Sequence, residues 1–239
     1  MKFLTDFHTH TVASGHAYST IQEIAQEAAK KELAVIAMTD HTSGLPGGAH
    51  DFHFNNLGVL PREMYGVKVL RGAETNIISF DGEIDAPKEV TRGLDVVIAS
   101  YHPPCIRFGE KEEVTRGFIG AMENERVHII GHPGDARYPF DHEELVKASL
   151  RTGTLLEINN ASLRPGSFRP GVRENLIEML KYCNQYDVPI IANTDTHISF
   201  QVGDFTETIS FLESIQFPEA LILNLYPEQL LAHIGYPGK

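Results

Sequence analysis

The sequence has few of the features that mark secreted, membrane-bound or thiol-ligated proteins. Its two cysteines, Cys105 and Cys183, lie far apart and outside any CxxC pair, which argues against a disulfide framework and a thiolate metal site. No apolar run reaches the roughly 18 to 20 residues of a membrane span. The opening segment MKFLTDF also lacks the apolar stretch and cleavage site of a signal peptide. We therefore expect a cytoplasmic protein without a membrane partner.

Basic residues are scarce relative to acidic ones. The chain has 20 Lys and Arg against 32 Asp and Glu, which gives a formal net charge of -12. A surface that follows a nucleic-acid backbone needs clustered Lys and Arg, so we expect no nucleic-acid polymer as a partner. A local basic pocket for a small anion remains compatible with this charge.

Short apolar runs rich in Val, Ile and Leu alternate with amphipathic helical patterns. The apolar runs predict buried parallel strands at 3–7, 34–40, 67–78, 95–100, 127–132, 154–160 and 188–195. Helical patterns lie between most of them, at 19–32, 112–125, 141–153 and 173–186. This alternation predicts an α/β fold, either a barrel or a doubly wound sheet. Because 239 residues suit one barrel, we expect a single domain over 1–239, with 44–54 as a glycine-rich loop.

Histidine occurs at 12 positions, and half of them fall where a predicted strand ends. The carboxyl ends of barrel strands meet at one face and carry the active site. Alternate residues of a strand point to the same side, so His8 and His10, two residues apart, can reach one ion together, as can Asp195 and His197. Clustered histidines and carboxylates predict a metal site there. The strand-end residues are His8 and His10, Asp40 and His41, Glu74, His102, His132, Glu157 and Asn159, and Asp195 and His197.

The other histidines have simpler interpretations. His128 begins a predicted strand, and His142 and His233 lie in helical stretches, so a structural role is expected for all three. His50 and His53 in the glycine-rich loop are equally compatible with a structural role and with substrate binding, because loops beside barrel sites often contact the substrate.

The motifs, taken in order along the chain, resemble those of the polymerase and histidinol phosphatase (PHP) superfamily. They are H-T-H at 8–10, T-D-H at 39–41, Glu74 in RGAET, Y-H-P at 101–103, G-H-P at 131–133 and D-T-H at 195–197. FHTHTVASGHAYST at 7–20, DGEID at 81–85, VHIIGHPG at 127–134 and LEINN at 156–160 are most similar to the YcdX-type stand-alone phosphoesterases. That resemblance implies a distorted (β/α)7 TIM-like barrel and a trinuclear zinc centre.

The resemblance also implies nine metal ligands, with Glu74 bridging two of the three ions. The implied sets are His8, His10, Glu74 and Asp195 for the first metal, Glu74, His102 and His132 for the second, and His16, His41 and His197 for the third. Nitrogen and oxygen ligands suit zinc, which we expect, but they also suit manganese or iron.

Such a centre would hydrolyse phosphate esters, because neighbouring divalent ions lower the pKa of a bridging water from about 15.7 toward 7 and supply hydroxide. The candidate catalytic residues are Glu74, Asp195 and His197. The first two would hold the metal pair, and His197 belongs to the third set, which could assist the leaving oxygen. A small phosphorylated substrate would need basic contacts, and Arg169 is the best candidate because a guanidinium can grip a phosphate. Asp40 is expected either to orient a ligand imidazole or to cap a turn.

Three alternatives stay open at this point. A histidinol-phosphate phosphatase belongs to the same superfamily, although its members are typically longer. An amidohydrolase-type enzyme that cleaves C–N bonds would share the HxH motif but usually has a bridging lysine, and no lysine ends a strand here. A regulatory metal-binding protein without turnover is the third. The sequence leaves the natural substrate open, and a homo-oligomer is compatible with it.

Overall fold

Seven parallel strands follow one another around the sheet in the computed structural model, which describes residues 1–236. The order is β1, β2, β4, β5, β6, β7 and β8, and the short β3 pairs with β4 in the antiparallel direction. The strands are β1 (Thr5–Asp6), β2 (Val35–Met38), β3 (Glu63–Met64), β4 (Val67–Asn76), β5 (Val96–Ser100), β6 (Ile129–Ile130), β7 (Leu155–Asn159) and β8 (Ile190–Asn193).

Helices follow most strands and cover the outside of the sheet. They are α1 (Ile21–Lys30), α2 (Asp51–Asn56), α3 (Lys88–Thr91), α4 (Lys111–Met122), α5 (His142–Thr152), α6 (Asn160–Leu163), α7 (Val172–Gln185), α8 (Thr206–Ser214) and α9 (Pro227–His233). Their ends have local causes. Thr20 and Glu23 form a capping box at the start of α1, and Gly153 ends α5 at a φ of +77° that glycine adopts without strain.

The sheet is nearly closed, and buried side chains bridge the remaining gap between β1 and β8. Asn224 accepts a hydrogen bond from the Ala192 N–H at 2.6 Å and donates to the carbonyl oxygens of Ala192 at 2.7 Å and Thr5 at 3.1 Å. Asn193 accepts from the Phe7 N–H at 2.8 Å. Farther along, His10 N–H donates to the Thr196 carbonyl at 2.8 Å. These groups satisfy backbone atoms that a missing strand pairing would leave unpaired.

The two largest of three apolar cores among the described residues lie on the two sides of the sheet. The larger one packs the outward side chains of the strands against the helices. The smaller one fills the barrel interior with inward residues such as Phe7, Leu70 and Ile98, and Leu230 and Leu231 of α9 close its amino end. The carboxyl end is therefore the part of the interior that is left for polar side chains.

The predicted distorted barrel is confirmed, and each predicted strand contains a strand of the structure. The real strands are shorter, because β1 and β6 form regular pairing over only two residues each. The 44–54 segment was predicted as loop throughout, whereas α2 begins in it at Asp51. Within residues 1–236, no helix is long and apolar enough to cross a lipid bilayer.

Candidate metal centre

Glu74 lies at the middle of the carboxyl end of the barrel, fully buried, and histidines surround both of its carboxylate oxygens. Glu74 Oε1 is 3.0 Å from His132 Nε2 and 3.4 Å from His102 Nε2. Glu74 Oε2 is near the ring nitrogens of three further histidines. Those contacts are His41 Nδ1 at 2.8 Å, His8 Nε2 at 3.2 Å and His10 Nε2 at 3.5 Å. Glu74 therefore contacts five histidines, which follow four different strands.

Several buried polar atoms in this cluster have no hydrogen bond of suitable geometry within the described residues, although two of them, His41 Nδ1 and Glu74 Oε2, are 2.8 Å apart. They are His8 Nε2, both ring nitrogens of His10, His41 Nδ1 and Glu74 Oε2. An unpaired buried polar atom costs about 1–3 kcal/mol, so five of them in one place call for a ligand. Three groups of residues each place their potential ligand atoms within 4.8 Å of one another. The groups are His8, His10 and Glu74; His41, Glu74 and His102; and His10, His41 and His197. The donor set fits divalent metal ions.

Outer partners fix two of these imidazoles in the orientation that a metal ligand needs. His8 Nδ1 donates to Glu157 Oε1 at 2.7 Å, and His102 Nδ1 donates to Asn76 Oδ1 at 2.7 Å. In both rings this leaves Nε2 facing Glu74. A metal-bound histidine commonly donates its second N–H to such an acceptor, which fixes the tautomer and the ring plane.

Burial and charge set the protonation of the cluster. Burial opposes ionisation of Glu74, but the neighbouring His8, His41 and His102 outweigh it and hold its pKa well below the usual range. Burial and the positive charge of other imidazoles lower the pKa of His10 to about 3, and burial lowers that of His102 to about 4. These two histidines are therefore neutral near pH 7, and a neutral imidazole is the form that binds a metal.

The backbone is strained at two of the residues that contribute to the cluster. His132 has a φ of +32° and Asp195 a φ of +54°, in the left-handed region that non-glycine residues rarely adopt. Each residue follows a strand directly or closely, so the turn redirects its side chain toward the barrel axis. Strain of this kind costs about 1–3 kcal/mol and concentrates at functional sites.

Asp195 joins the histidines to Arg169. Its Oδ1 is 3.3 Å from His10 Nε2 and 3.6 Å from His8 Nε2. Its Oδ2 accepts from Asn159 Nδ2 at 3.2 Å and from Arg169 Nη1 at 3.3 Å. The buried Arg169 also donates to Ser162 Oγ at 2.9 Å. One oxygen of Asp195 thus faces the histidines, while the other is held by the loop that follows β7.

A cavity of about 760 Å³ opens above the cluster. His16, His41, His102, Asp195 and His197 line its floor. Its walls include the guanidinium-bearing residues Arg137, Arg164 and Arg169, and Phe168. Arginines beside a polar, histidine-rich floor provide a site that suits an anion.

A family model described as the PHP domain matches residues 6–161, which is more than half of the chain. The chain belongs to the PHP family. The predicted resemblance is therefore confirmed. The matched segment contains seven of the nine predicted ligands, namely His8, His10, His16, His41, Glu74, His102 and His132. Asp195, His197 and Arg169 lie beyond it and reach the same site only because the barrel closes.

Relatives of this PHP protein match it over nearly its full length. A probable phosphatase of Clostridium novyi is 41% identical over 239 residues, covering 100% of this chain and 97% of the relative. Histidinol phosphate phosphatase from Lactococcus lactis, solved with zinc, L-histidinol and phosphate, has a TM-score of 0.63 at 18% identity and covers 91% of this chain and 95% of that one. A chain of archaeal ribonuclease P with mature tRNA has a TM-score of 0.64 at 14% identity, covering 97% and 91%. The two structures share the fold.

The structure brings all nine predicted ligands to one end of the barrel. The groups that they form there differ from the predicted sets. In the structure His10, and not His16, forms a group with His41 and His197. A second group contains Glu74 and His102 with His41, whereas His132 was predicted as their third member. His16 is exposed, and its ring is 5.1 Å from that of His41 and 4.7 Å from that of His197.

Asp40 and the two histidines of the glycine-rich loop lie to one side of this cluster. Asp40 accepts from Thr11 N at 2.7 Å and Ser14 Oγ at 2.7 Å, so it holds the turn that leads to His16. His53 Nε2 is 3.3 Å from Asp40 Oδ2. His50 is exposed and caps α2 by accepting from the Phe52 N–H at 3.2 Å. Neither His50 nor His53 lines the cavity formed by the described residues.

The histidines expected to be structural lie away from the centre. His128 Nδ1 accepts from the Val97 N–H at 3.1 Å at the start of β6, and His233 Nε2 donates to the Gly153 carbonyl at 2.7 Å. His142 is the first residue of α5 and packs against Phe140. Arg71 lies three residues before Glu74 on β4, so it points to the opposite face, where it donates to the carbonyl oxygens of Gly58 and Leu60.

Four polar residues of the PHP site were not assigned a role from the sequence. Asn76 and Ser100 end β4 and β5 on the inward side, and Ser100 Oγ donates to Glu74 Oε1 at 2.7 Å. Glu157 and Arg137 are the others. Strand parity could have identified Asn76, because it lies two residues after Glu74. Gly131 permits the Ser100 contact, since a Cβ there would lie 2.2 Å from Ser100 Oγ.

Proposed function

We propose that this PHP protein is a metal-dependent phosphatase that hydrolyses a small phosphate ester. The observation that carries the proposal is the set of unpaired buried ligand atoms around Glu74, which lie beneath the histidine-lined floor of a cavity with arginines in its walls. A phosphate ester has the two features that such a site accepts, namely anionic oxygens for cations and a neutral or polar remainder for the cavity. The full-length similarity to probable phosphatases supports the same reaction.

Nine residues would hold up to three ions, for which zinc is our choice and manganese or iron the alternatives. They are His8, His10, His16, His41, Glu74, His102, His132, Asp195 and His197. When bound, divalent ions lower the pKa of water and offset the charge of a phosphate ester. The absence of thiolates from the set is compatible with all three metals.

The protein's own groups would orient the substrate and hold the catalytic geometry. Glu74 contacts histidines through both oxygens and keeps the two halves of the cluster together. Asp195 orients His8 and His10, and Arg169 fixes Asp195 while lining the cavity. His197 Nδ1 donates to the Asp195 carbonyl at 3.1 Å, which leaves Nε2 as the atom that would hold an ion of the third set, and that set would serve the leaving oxygen.

The substrate is expected to be larger than phosphate alone. The cavity of about 760 Å³ lies within the range of roughly 300–1,000 Å³ that is typical of small-molecule sites. Arg169 is the proposed phosphate contact, because its guanidinium is buried beside Asp195 and is stacked 4.8 Å from the ring centre of Phe168. His50 and His53 were also predicted to bind substrate, but no contact in the structure supports that role.

A substrate screen on stripped and reloaded protein tests the proposal. Metal is removed with a chelator, and zinc, manganese or iron is restored before phosphate release is followed with p-nitrophenyl phosphate, sugar phosphates, nucleoside monophosphates and L-histidinol phosphate. We expect no release from stripped protein and recovery on reloading. An amide substrate tests the amidohydrolase alternative, and a short oligonucleotide tests the expectation that no nucleic-acid polymer is a partner. Fully loaded protein that releases no phosphate from any ester would contradict the proposal and favour a regulatory metal-binding role.

A further inference from the structure

The carboxylate of Asp85 ends the DGEID segment at 81–85, which the proposed reaction does not use. Asp85 does not line the cavity formed by the described residues, but it accepts four hydrogen bonds. The donors are Thr42 Oγ1 at 2.7 Å, Gly44 N at 2.9 Å, Asn76 N at 2.8 Å and Asn76 Nδ2 at 2.7 Å. Four donors on one carboxylate indicate a fixed position, because an ionised carboxylate has about four acceptor sites in total.

On one side, Asp85 fixes Asn76, whose amide oxygen accepts a hydrogen bond from the candidate ligand His102. Asn76 gives both its backbone and its side-chain N–H groups to Asp85, so its amide can point only one way. The amide oxygen is left facing His102 and accepts from His102 Nδ1 at 2.7 Å. That bond fixes the His102 tautomer and places its Nε2 3.4 Å from Glu74 Oε1.

On the other side, Asp85 fixes the loop that follows His41. Thr42 and Gly44 donate to it directly, and Leu45 and Pro46 of the same loop line the cavity. The approach is close, because a Cβ at Gly44 would lie 2.3 Å from Asp85 Oδ2. Farther along the loop, the Gly47 carbonyl accepts from Gly15 N at 2.7 Å, beside His16. The loop is thus held by Asp85 near its start and by the segment that carries His16 farther along.

We propose that Asp85 is a positioning residue that holds two ligand histidines of the metal centre, His102 through Asn76 and His41 through the loop beginning at Thr42. The inference rests on the proposed metal-dependent function. Asp85 touches neither the ligand atoms nor the cavity, so its effect is exerted through the residues that it binds. Its loss should weaken metal binding first, and lower turnover as a consequence.

The variant Asp85→Asn tests this with almost no change in size. A carboxamide has one oxygen and one NH₂ group, so either orientation turns two hydrogens toward donors. Asp81→Asn is the matched control, because Asp81 lies in the same segment, undergoes the same chemical change, and has a side chain that is 82% exposed beside Arg116. Zinc affinity is measured by competition with a chromophoric chelator, together with metal per chain and the visible spectrum of cobalt-loaded protein.

We expect Asp85→Asn to weaken the affinity for at least one ion by about 10- to 100-fold, as loss of a ligand's outer partner does, and to alter the cobalt spectrum. Asp81→Asn should match the wild type. If the Asp85→Asn protein binds zinc as tightly as Asp81→Asn does, with the same cobalt spectrum, the inference is overturned while the proposed function stands. If the wild type itself binds no metal, the proposed function fails as well.

Two further variants keep the test decisive if Asp85→Asn does not fold. Gly44→Ala retains the carboxylate but pushes a methyl group against Asp85 Oδ2, and it should weaken zinc binding in the same direction. Asn76→Ala removes the link to His102, so combining it with Gly44→Ala, which disturbs the same link from the Asp85 side, should cost less than the product of the two single losses. Wild-type affinity in Gly44→Ala, or fully multiplicative losses in the double variant, would contradict the proposed route.

Discussion

The two ends of the same barrel are built for opposite purposes. Inward side chains at the amino end are apolar, such as Leu70, Val96 and Leu155, and helix α9 covers them. Two to four residues farther along the same strands, the inward positions change to Glu74, Ser100, Glu157 and their neighbours. At the amino end the buried groups are packed against each other. At the carboxyl end, five buried polar atoms have no partner within the described residues.

The difference separates stability from chemistry within a few residues of strand. Packed apolar side chains contribute folding free energy without needing a ligand. The polar end instead contributes strain and unpaired polar atoms, which a bound cation would satisfy. Substitutions at the amino end should therefore lower the free energy of unfolding and leave the activity of the folded protein intact. Substitutions at the carboxyl end should lower metal binding and activity and change the free energy of unfolding of metal-free protein little.

The largest expected effect is from Glu74→Gln at the carboxyl end. An amide cannot replace a carboxylate that contacts histidines through both oxygens, so kcat/KM for p-nitrophenyl phosphate should fall by about 10³-fold, at the upper end of losses from removing one electrostatic group. Metal per chain should fall too, and the melting temperature of metal-free protein should change little. His142→Gln, away from the centre, is the control and should stay within about twofold of wild type. Equal losses in the two variants would remove Glu74 from its proposed role.

Leu230→Ala probes the opposite end. Leu230 is fully buried in the core that closes the barrel, and truncation of such a leucine costs about 2–5 kcal/mol through lost burial and the cavity left behind. Denaturant unfolding of metal-free protein measures the loss. The folded variant should keep its metal content and kcat. A drop in kcat without a drop in stability would show that the two ends are coupled.

A histidine at the amino end should make stability depend on pH. Burial, aided by Arg126, lowers the pKa of His128 to about 4 in the folded protein, where its Nδ1 accepts from Val97 N. The unfolded chain takes up a proton near its pKa of about 6.5. The folded state therefore loses stability as pH falls from about 6.5 to 4, by about 2–3 kcal/mol. In metal-free His128→Asn this part of the pH dependence of the free energy of unfolding should disappear. If that free energy falls with pH as steeply in the variant as in the wild type, His128 is not its source.

The smallest effect is expected from Arg169→Lys in the cavity wall. Lysine keeps the charge but cannot bridge Ser162 and Asp195 with a planar fork. The KM for phosphate esters should rise by about tenfold, equivalent to about 1.4 kcal/mol, with a smaller fall in kcat. Arg173→Lys is the control, since that guanidinium lies near Glu207 on the exposed side of α7. A kcat loss that exceeds the KM change would assign Arg169 to the chemical step.

Local sequence signals were sufficient for the strands, and the motif resemblance was sufficient for the family and the barrel that it implies. The apolar runs at 67–78 and 154–160 coincide with β4 and β7, because buried parallel strands have a continuous apolar signature. The histidine motifs identified the PHP family, and the residues they contain meet around Glu74. The metal-ligand assignments themselves, the number of ions and the substrate contacts stay predictions.

Contacts between distant segments could not be predicted. Asn224 closes the gap beside Thr5, 219 residues away in the chain, and nothing near Asn224 indicates that partner. Asn76 orients His102 across 26 residues, and Asp85 reaches Thr42 across 43. Such pairs depend on the closed barrel and on backbone turns, as at His132 and Asp195, rather than on local propensity. For the same reason α9, an ordinary amphipathic segment, gave no sign that it covers the barrel.

The most direct test of the central claim is a zinc titration of stripped wild-type protein in which bound metal and p-nitrophenol release are measured on the same sample. The account predicts that release is absent without metal, rises as the sites fill and levels off at up to three ions per chain. If release were equal with and without bound metal, or absent from fully loaded protein with every ester tested, the polar end of this barrel would not be a metal-dependent phosphatase site.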